Sequence, residues 1–330
     1  MTASEHGVQS VLTQARGPWL TVVIPSFHGE SWIDTALGSL AKETTDGIEV
    51  VLIDGGPTSA TRDIAHTYGD RLRLRVIERC DLKSWQAKTN FGVQQAESDH
   101  VCWLGVDDIW LPGRAAAARS WIDGAPSIAL HLAPSAIIDK RGRKLGVWRC
   151  PFAAQVELLP RMVTERLLVQ NFIAAPAPIF RKDAWIERGG VDESLWYTAD
   201  WDAWLKLVAN GPVIYHDEVT VGFRIHARSL TVSGSRDRAD FLRQMQTVLS
   251  RHLESLDGFP ERLEQTARAS ISVNSALAAA NAGDLTEIVG ACLQVLRLGP
   301  TGIYRYFRDS RIVERLLPRV RAKLSAALSV

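Results

Sequence analysis

Asp107 and Asp108 stand side by side at the end of an apolar, β-prone run, "HVCWLGV", and a Leu-Pro-Gly turn signal follows at residues 111–113. Two like charges at the end of a buried strand are costly unless something positive sits beside them. Asp54 ends a second such run, "EVVLI". In an open parallel sheet ligands bind beyond the carboxyl ends of the strands, so neighbouring strands would bring all three carboxylates to one crevice. The chemistry on offer is then the capture of a hard divalent cation through oxygen, magnesium or manganese rather than zinc. The plainer alternative is that each Asp closes an Asx-turn or caps the next helix.

Elements with the right order exist to position these groups. "WLTVVIPSF" and "IEVVLID" read as continuous apolar strands buried on both faces. "SWIDTALGSLAKE" places Ile33, Ala36, Leu37 and Leu40 on one helical stripe. A Gly-rich turn and helix ("GGPTSATRDIAHTYG"), a strand ("LRLRVIE"), a helix ("WQAKTNFGVQQAES") and the strand that ends at Asp107 follow. That alternation predicts βαβ units and a largely parallel sheet covered on both faces. Beyond Gly113 the pattern becomes mixed: strands around a turn at 139–142, a strand and helix in "APIFRKDAWIERGG", a helix in "TADWDAWLKLVANG", and one return strand in "VIYHDEVTVGFRIH". From about residue 236 the sequence is helical. It ends in a tail with Arg305, Arg308, Arg311, Arg315, Arg319, Arg321 and Lys323 against Asp309 and Glu314. The organisation expected is a flexible leader over 1–18, a catalytic domain over 19–235 and a C-terminal helical region over 236–330.

The bulk numbers narrow the class. A chain of 330 residues, 46% hydrophobic and 23% charged, has the composition of a globular protein with a substantial core. A net charge of +1 gives no overall field toward nucleic acid. Cys80, Cys102, Cys150 and Cys292 lie far apart without metal-ligand spacing, which argues for a reducing compartment and against structural zinc. The first fifteen residues are polar and mixed, unlike a signal peptide, and no apolar run approaches a membrane span. The expected location is the cytoplasm. No GxGxxG follows the first strand, which sets aside a dinucleotide-dependent dehydrogenase.

Five elements in order resemble the family 2 glycosyltransferases of the GT-A fold over roughly residues 20–231. They are Ile24-Pro25-Ser26-Phe27 after the first strand; Asp54-Gly55-Gly56-Pro57-Thr58-Ser59-Ala60-Thr61; Asn90 and Gly92 on a helix; Asp107-Asp108 before Leu-Pro-Gly; and "FRKDAWIERGGVDESLWYTADWDAWLKL". The resemblance implies a Rossmann-like mixed sheet with flanking helices, extended here by the C-terminal helices. It implies an inverting transfer of a sugar from a nucleotide diphosphate, UDP or another, to a hydroxyl of a glycan or lipid-linked acceptor in cell-surface polysaccharide or glycolipid synthesis. Asp108 would hold Mg2+ or Mn2+ directly, with Asp107 reaching the nucleotide's ribose or the metal's second shell. Asp54 would accept from the base or ribose. Pro25, Phe27, Glu30, Gly56 and Asn90 would line the nucleotide.

On the same basis Asp200 is the general base that takes the acceptor's proton, with helix capping as its plain alternative. "FRIHARS" matches the segment whose His226 can reach the metal and whose Arg224 and Arg228 face the diphosphate. Asp202 reads as a helix-start residue acting through the dipole. Trp196, Trp201 and Trp204 offer a sugar-stacking face, although the spacing of Trp201 and Trp204 suits core packing. Two departures, Gly55 and Ala199 where acidic residues are common, keep a catalytically degenerate nucleotide-sugar scaffold as the rival reading. A nucleotidyltransferase is weaker, because "IPSFHGES" lacks a Gly- and Lys-rich phosphate loop. The basic tail could lie on an anionic membrane, but a helical face packed on the domain is favoured, and Pro318 is expected to interrupt its helix. Homo-oligomerisation is left open.

Overall fold

The structure is a computed structural model that describes residues 17–226, 229, 237–254, 256, 258, 261–281 and 283–327. All but the last two residues of the expected leader, and Arg228, lie outside the described residues. The first half follows the expected alternation: β1 (Leu20–Ser26), α1 (Ile33–Leu40), β2 (Ile48–Asp54), α2 (Ala60–His66), β3 (Arg73–Glu78), α3 (Trp85–Gln95) and β4 (His100–Trp103). Every residue of β2 is buried, as a strand covered on both faces requires. The inward stripe of α1 is Ile33, Ala36, Leu37 and Leu40. The Ser84 hydroxyl caps α3 by accepting from the Ala87 N–H.

The second half adds β5 (Ile109–Trp110), α4 (Arg114–Gly124), β6 (Leu130–Leu132), β7 (Ser135–Ile138), β8 (Lys144–Trp148), β9 (Glu157–Leu158), α5 (Pro160–Val169), β10 (Ile179–Arg181), α6 (Lys182–Glu187), α7 (Ala199–Val208), β11 (Val213–Tyr215) and β12 (Val221–Arg224). Five helices complete the described chain: α8 (Arg238–Leu253), α9 (Glu261–Asn281), α10 (Ile288–Arg297), α11 (Gly299–Ser310) and α12 (Ile312–Ala327).

Among the described residues one sheet has the order β3-β2-β1-β4-β10-β6-β11-β9, and a second has the order β5-β12-β7-β8. Strands β3, β2, β1 and β4 are parallel, and β10 joins β4 antiparallel. The chain moves from β1 outward through β2 to β3, then returns to the other side of β1 as β4. The carboxyl ends of β1, β2 and β4 therefore frame a topological switch point. The small sheet starts where the acidic pair ends: β5 follows Asp108 directly and pairs antiparallel with β12, Ile109 opposite Gly222. A Cβ at Gly222 would fall 2.8 Å from Ile109 Cγ1, so the approach of these two strands needs glycine there.

Two expectations are corrected. The return segment at 213–226 is two strands in different sheets, parted at 216–220. His216 there turns inward, its ring stacked on Trp121 at 4.1 Å and 3.1 Å from His131. Pro318 does not interrupt its helix, because α12 runs through it. The ring packs on Gly146, where a Cβ would lie 2.6 Å from Pro318 Cγ. The break comes earlier, at Arg311, in the left-handed region with φ 48°.

The main core lies between the large sheet and the helices behind it. Trp103, Phe180, Trp185 and Trp204 stack through its centre, joined by Phe241, Met245, Val248 and Leu249 from α8 and by Ala267 and Ile271 from α9.

Candidate active site

The β5–β12 pairing carries Arg224 and His226 up to the acidic pair. The backbone N–H of Arg224 donates to Asp108 Oδ1 at 2.8 Å, and its guanidinium donates to the carbonyls of Asp107 (2.6 Å) and Asp139 (2.9 Å). His226 Nε2 lies 2.8 Å from Asp107 Oδ2. Trp32, at the start of α1, sits between them. The His226 ring stacks on it at 4.9 Å and the Arg224 guanidinium lies 5.0 Å from its centroid. Asp108 is buried, and burial together with the charge of Asp107 pushes its carboxyl well above the usual range, only partly offset by Arg224. Burial in turn lowers Arg224. Asp108 is thus a carboxylate short of positive charge.

The remaining oxygens of the pair face one another over Gly105: a Cβ there would fall 2.7 Å from Asp108 Oδ2 and 3.1 Å from Asp107 Oδ1. This glycine makes room for the two carboxylates, which gather two hard donors at one place. Among the described residues no group of three or more His, Cys, Asp or Glu side chains is arranged around a metal position. The fit is therefore to a cation held by one or two carboxylates that takes its other ligands from phosphate and water, as magnesium does.

Asp54, fully buried at the end of β2, belongs to the same edge of the sheet. Its Oδ1 accepts from the Gly56 N–H at 3.2 Å and its Oδ2 from Arg62 at 2.7 Å. Beside it lies Lys88 of α3, a residue the sequence reading passed over. A lysine on a helix of low amphipathicity carries no signal of its own, yet this one is 1% exposed. Its ammonium makes one long hydrogen bond, 3.4 Å to the Ser84 carbonyl, and stands 5.4 Å from the Phe27 ring centroid. Burial pulls its pKa down. A side chain at Gly55 would strike it, with the Cβ 2.3 Å from Lys88 Cε. The absence of the expected second acidic residue at 55 thus makes room for a buried cation.

Phe27 is half-exposed, Pro25 sits in β1 opposite Ile53, and Glu30 stands exposed in the turn before α1. Asn90 is turned elsewhere. Its amide both donates to and accepts from the backbone of Val191, at 2.9 Å each, which fastens the Gly189–Gly190 turn. Both ends of the amide are used there, so Asn90 ties α3 to this turn.

Asp200 opens α7. Its Oδ1 accepts from the Trp201 N–H at 2.8 Å and its Oδ2 from Asn171 at 3.1 Å. The Asn171 carbonyl oxygen is itself fixed by the Ile173 N–H at 3.0 Å. Burial raises Asp200 to about 6 despite these hydrogen bonds, although the residue keeps some solvent access. Asn171 is a second residue missed in the sequence; nothing in its spacing relates it to Asp200. Asp202 does more than favour a helix start. Fully buried, it meets Lys206 (2.7 Å), Arg251 (2.9 Å) and His252 (2.9 Å), and although burial opposes its charge, His252 and Lys206 hold it down to about 2. Trp201 and Trp204 are core, and Trp196 is half-buried with its N–H on Asp240.

Comparisons with known proteins bear on the fold. The family model of glycosyl transferase family 2 matches residues 21–164. An uncharacterised glycosyltransferase of Rickettsia typhi is 25% identical over 225 residues, covering 65% of this chain and 66% of that protein. A validoxylamine A glucosyltransferase of Streptomyces hygroscopicus subsp. limoneus is 43% identical over 67 residues, 20% of this chain and 15% of that protein. The match thus spans just under two thirds of the Rickettsia typhi relative, and 35% of a longer one in Rickettsia felis. Among solved structures, S. aureus TarS 1-349 in complex with UDP-GlcNAc aligns with a TM-score of 0.63 at 18% identity, covering 88% of this chain and 79% of that one. The mannosyltransferase PcManGT from Pyrobaculum calidifontis, in complex with GDP-Man and Mn2+, aligns with a TM-score of 0.55 at 17% identity, covering 93% and 87%. Residues 21–164 are thus similar to glycosyl transferase family 2, and the chain has the GT-A fold of these structural neighbours, followed by packed helices.

Proposed function

We propose that this protein is an inverting glycosyltransferase that moves a sugar from a nucleoside diphosphate to a hydroxyl of a glycan or lipid-linked acceptor. The observation that carries the reading is the charge-deficient pair Asp107–Asp108, gathered over Gly105 at the switch point of the sheet. Neighbours of the same fold are complexed with UDP-GlcNAc, or with GDP-Man and Mn2+, which supports a nucleotide-sugar ligand and a divalent ion. When bound, the cation supplies Lewis-acid stabilisation of the leaving diphosphate. Asp108 and Asp107 would hold it, and Arg224 keeps the pair in place from below.

Asp54, Lys88 and Phe27 form the wall for the base and ribose. Asp200 receives the proton of the attacking hydroxyl. A carboxylate with its pKa near 6 is ionised at neutral pH and still basic enough to take that proton. Asn171 aims it, and one displacement inverts the anomeric centre without a covalent intermediate. The catalytic unit proposed is 19–235, with 236–330 as its helical support, in a cytoplasmic protein.

The test is calorimetric titration of UDP, then GDP and TDP, with and without manganese, on the protein and on Asp108→Ala. Metal-dependent binding lost in the variant is the expected result. A folded protein that binds none of the three overturns the reading in favour of a scaffold.

A further inference from the structure

Thirteen large hydrophobic side chains are exposed among the described residues, and nine of them lie between positions 285 and 320, so the apolar surface is concentrated on α10, α11 and α12. Helix α10 is the clearest case. It buries Ala291 and Val295 against the helices beneath, yet Val289, Leu293 and Leu296, spaced i, i+4, i+7 on the other side, are 67%, 47% and 64% exposed. A helix apolar on both faces is one whose outer face is normally covered. On α11, Tyr304 and Phe307 are likewise exposed.

The charge around this surface says what covers it. Residues 285–330 contain eight Lys or Arg against three Asp or Glu, in a chain whose total is only +1. The three acids are engaged, Glu287 with Arg238, Asp309 with Arg308 and Glu314 with Arg311; Arg308 and Arg311 are thereby paired and Arg315 is buried, which leaves Arg297 and Arg305 as the cations beside the apolar stripe. Arg297 follows Leu296 at the end of α10, exposed, and Arg305 follows Tyr304. We infer that α10 and α11 seat the protein on an anionic lipid surface, with the apolar stripe entering the acyl boundary and the arginines meeting lipid phosphates. No helix among the described residues is long and apolar enough to cross a membrane, so the contact lies in the plane of the interface. A second copy is the weaker occupant. In a two-fold dimer the patch would meet itself and bring its own arginine excess face to face. The inference does not depend on the transferase reading, since lipid binding needs no nucleotide.

The experiment is flotation of the full chain with phosphatidylcholine vesicles, with and without phosphatidylglycerol, and light scattering of the same protein alone. Expected is flotation with the anionic vesicles only. It should weaken about fivefold in Arg297→Gln, as one basic contact is lost, and be abolished in the double variant Leu293→Glu, Leu296→Glu. Both leucines are exposed, so the variant should keep the parent melting curve. A simple Leu293→Ser variant serves as the second reading should the double variant unfold. Protein that stays at the bottom with both vesicles overturns the inference. So does a dimer that Leu293→Ser dissolves, which would assign the face to a second copy.

Discussion

Asp108→Asn separates the cost of the acidic pair from its use. The substitution keeps the side-chain volume and the oxygen that accepts from the Arg224 N–H at 2.8 Å. It replaces the oxygen facing Asp107 across Gly105 with an amide that can donate to that neighbour. The folded-state pKa of Asp108 is raised above its unfolded value, so the native protein resists its ionisation. Ionised Asp108 therefore subtracts from stability above that pKa, and the deficit disappears as pH falls. Each unit by which the fold raises a carboxyl's pKa costs the ionised native state about 1.4 kcal/mol. Arg224 offsets part of that cost in the parent, so a gain of about 1–2 kcal/mol is expected at neutral pH without metal. That is a rise in Tm of about 1–3 °C, at about 2.1 cal/mol/K of unfolding entropy per residue over 330 residues. Manganese with UDP at about a hundred times Kd should raise the parent's stability by about 2.7 kcal/mol and leave the variant unmoved. The assay is a set of thermal melts of both proteins, each with and without ligand. A variant that melts below the parent without metal, or that keeps the ligand-induced shift, refutes the reasoning.

Other outcomes follow from the same contacts. Asp200→Asn should lower kcat by about 10²–10⁴-fold with donor affinity unchanged in calorimetry, and the parent's kcat should rise with pH through about 6 as Asp200 ionises. Asn171→Ala removes a hydrogen bond that favours the Asp200 carboxylate, so that limb should move up by about one unit; an unmoved limb would deny Asn171 its aiming role. Lys88→Met should weaken UDP binding about tenfold or more while raising thermal stability, because a poorly paired buried ammonium is lost; equal affinities in calorimetry would remove Lys88 from the nucleotide wall. His131 and His216 are held neutral by burial, at about 3 and about 4. The unfolded chain then binds protons that the native state refuses between its ordinary pKa near 6.5 and those values. Stability should fall by about 3–6 kcal/mol from pH 7 to pH 4, with a shallower slope in His216→Gln, read by urea unfolding at each pH.

The strands that carry the site were legible because they are continuous apolar runs capped by acids: β1, β2 and β4 needed no tertiary knowledge. The segment at 213–226 was not, since its residues are β-prone throughout and only His216, drawn inward by Trp121 and His131, divides it between two sheets. Asp54, Asp107, Asp108 and Asp200 could be named from type and order. The groups that set their behaviour could not. Lys88 looks like any helical lysine, Trp32 like a core aromatic, and Asn171 sits 29 positions from the carboxylate it holds. Asn90 was expected at the nucleotide from its motif position, which says where a residue is on its helix and nothing about the Val191 backbone that holds its amide.

The bond from Asp202 to Arg251 and His252 bears on how this molecule can be cut and recombined. Asp202 is two residues from Asp200, on the same first turn of α7, and its partners sit on α8. A fragment that stops at the sequence edge of the transferase fold would keep every motif residue. It would also strip Phe241, Met245, Val248 and Leu249 from the core and take Arg251 and His252 from the buried Asp202 beneath the proposed base, leaving Lys206 to it. The helical tail is thus not cargo that can be traded between family members like an interchangeable module. Any chimera that swaps it must supply a cation where His252 and Arg251 now stand.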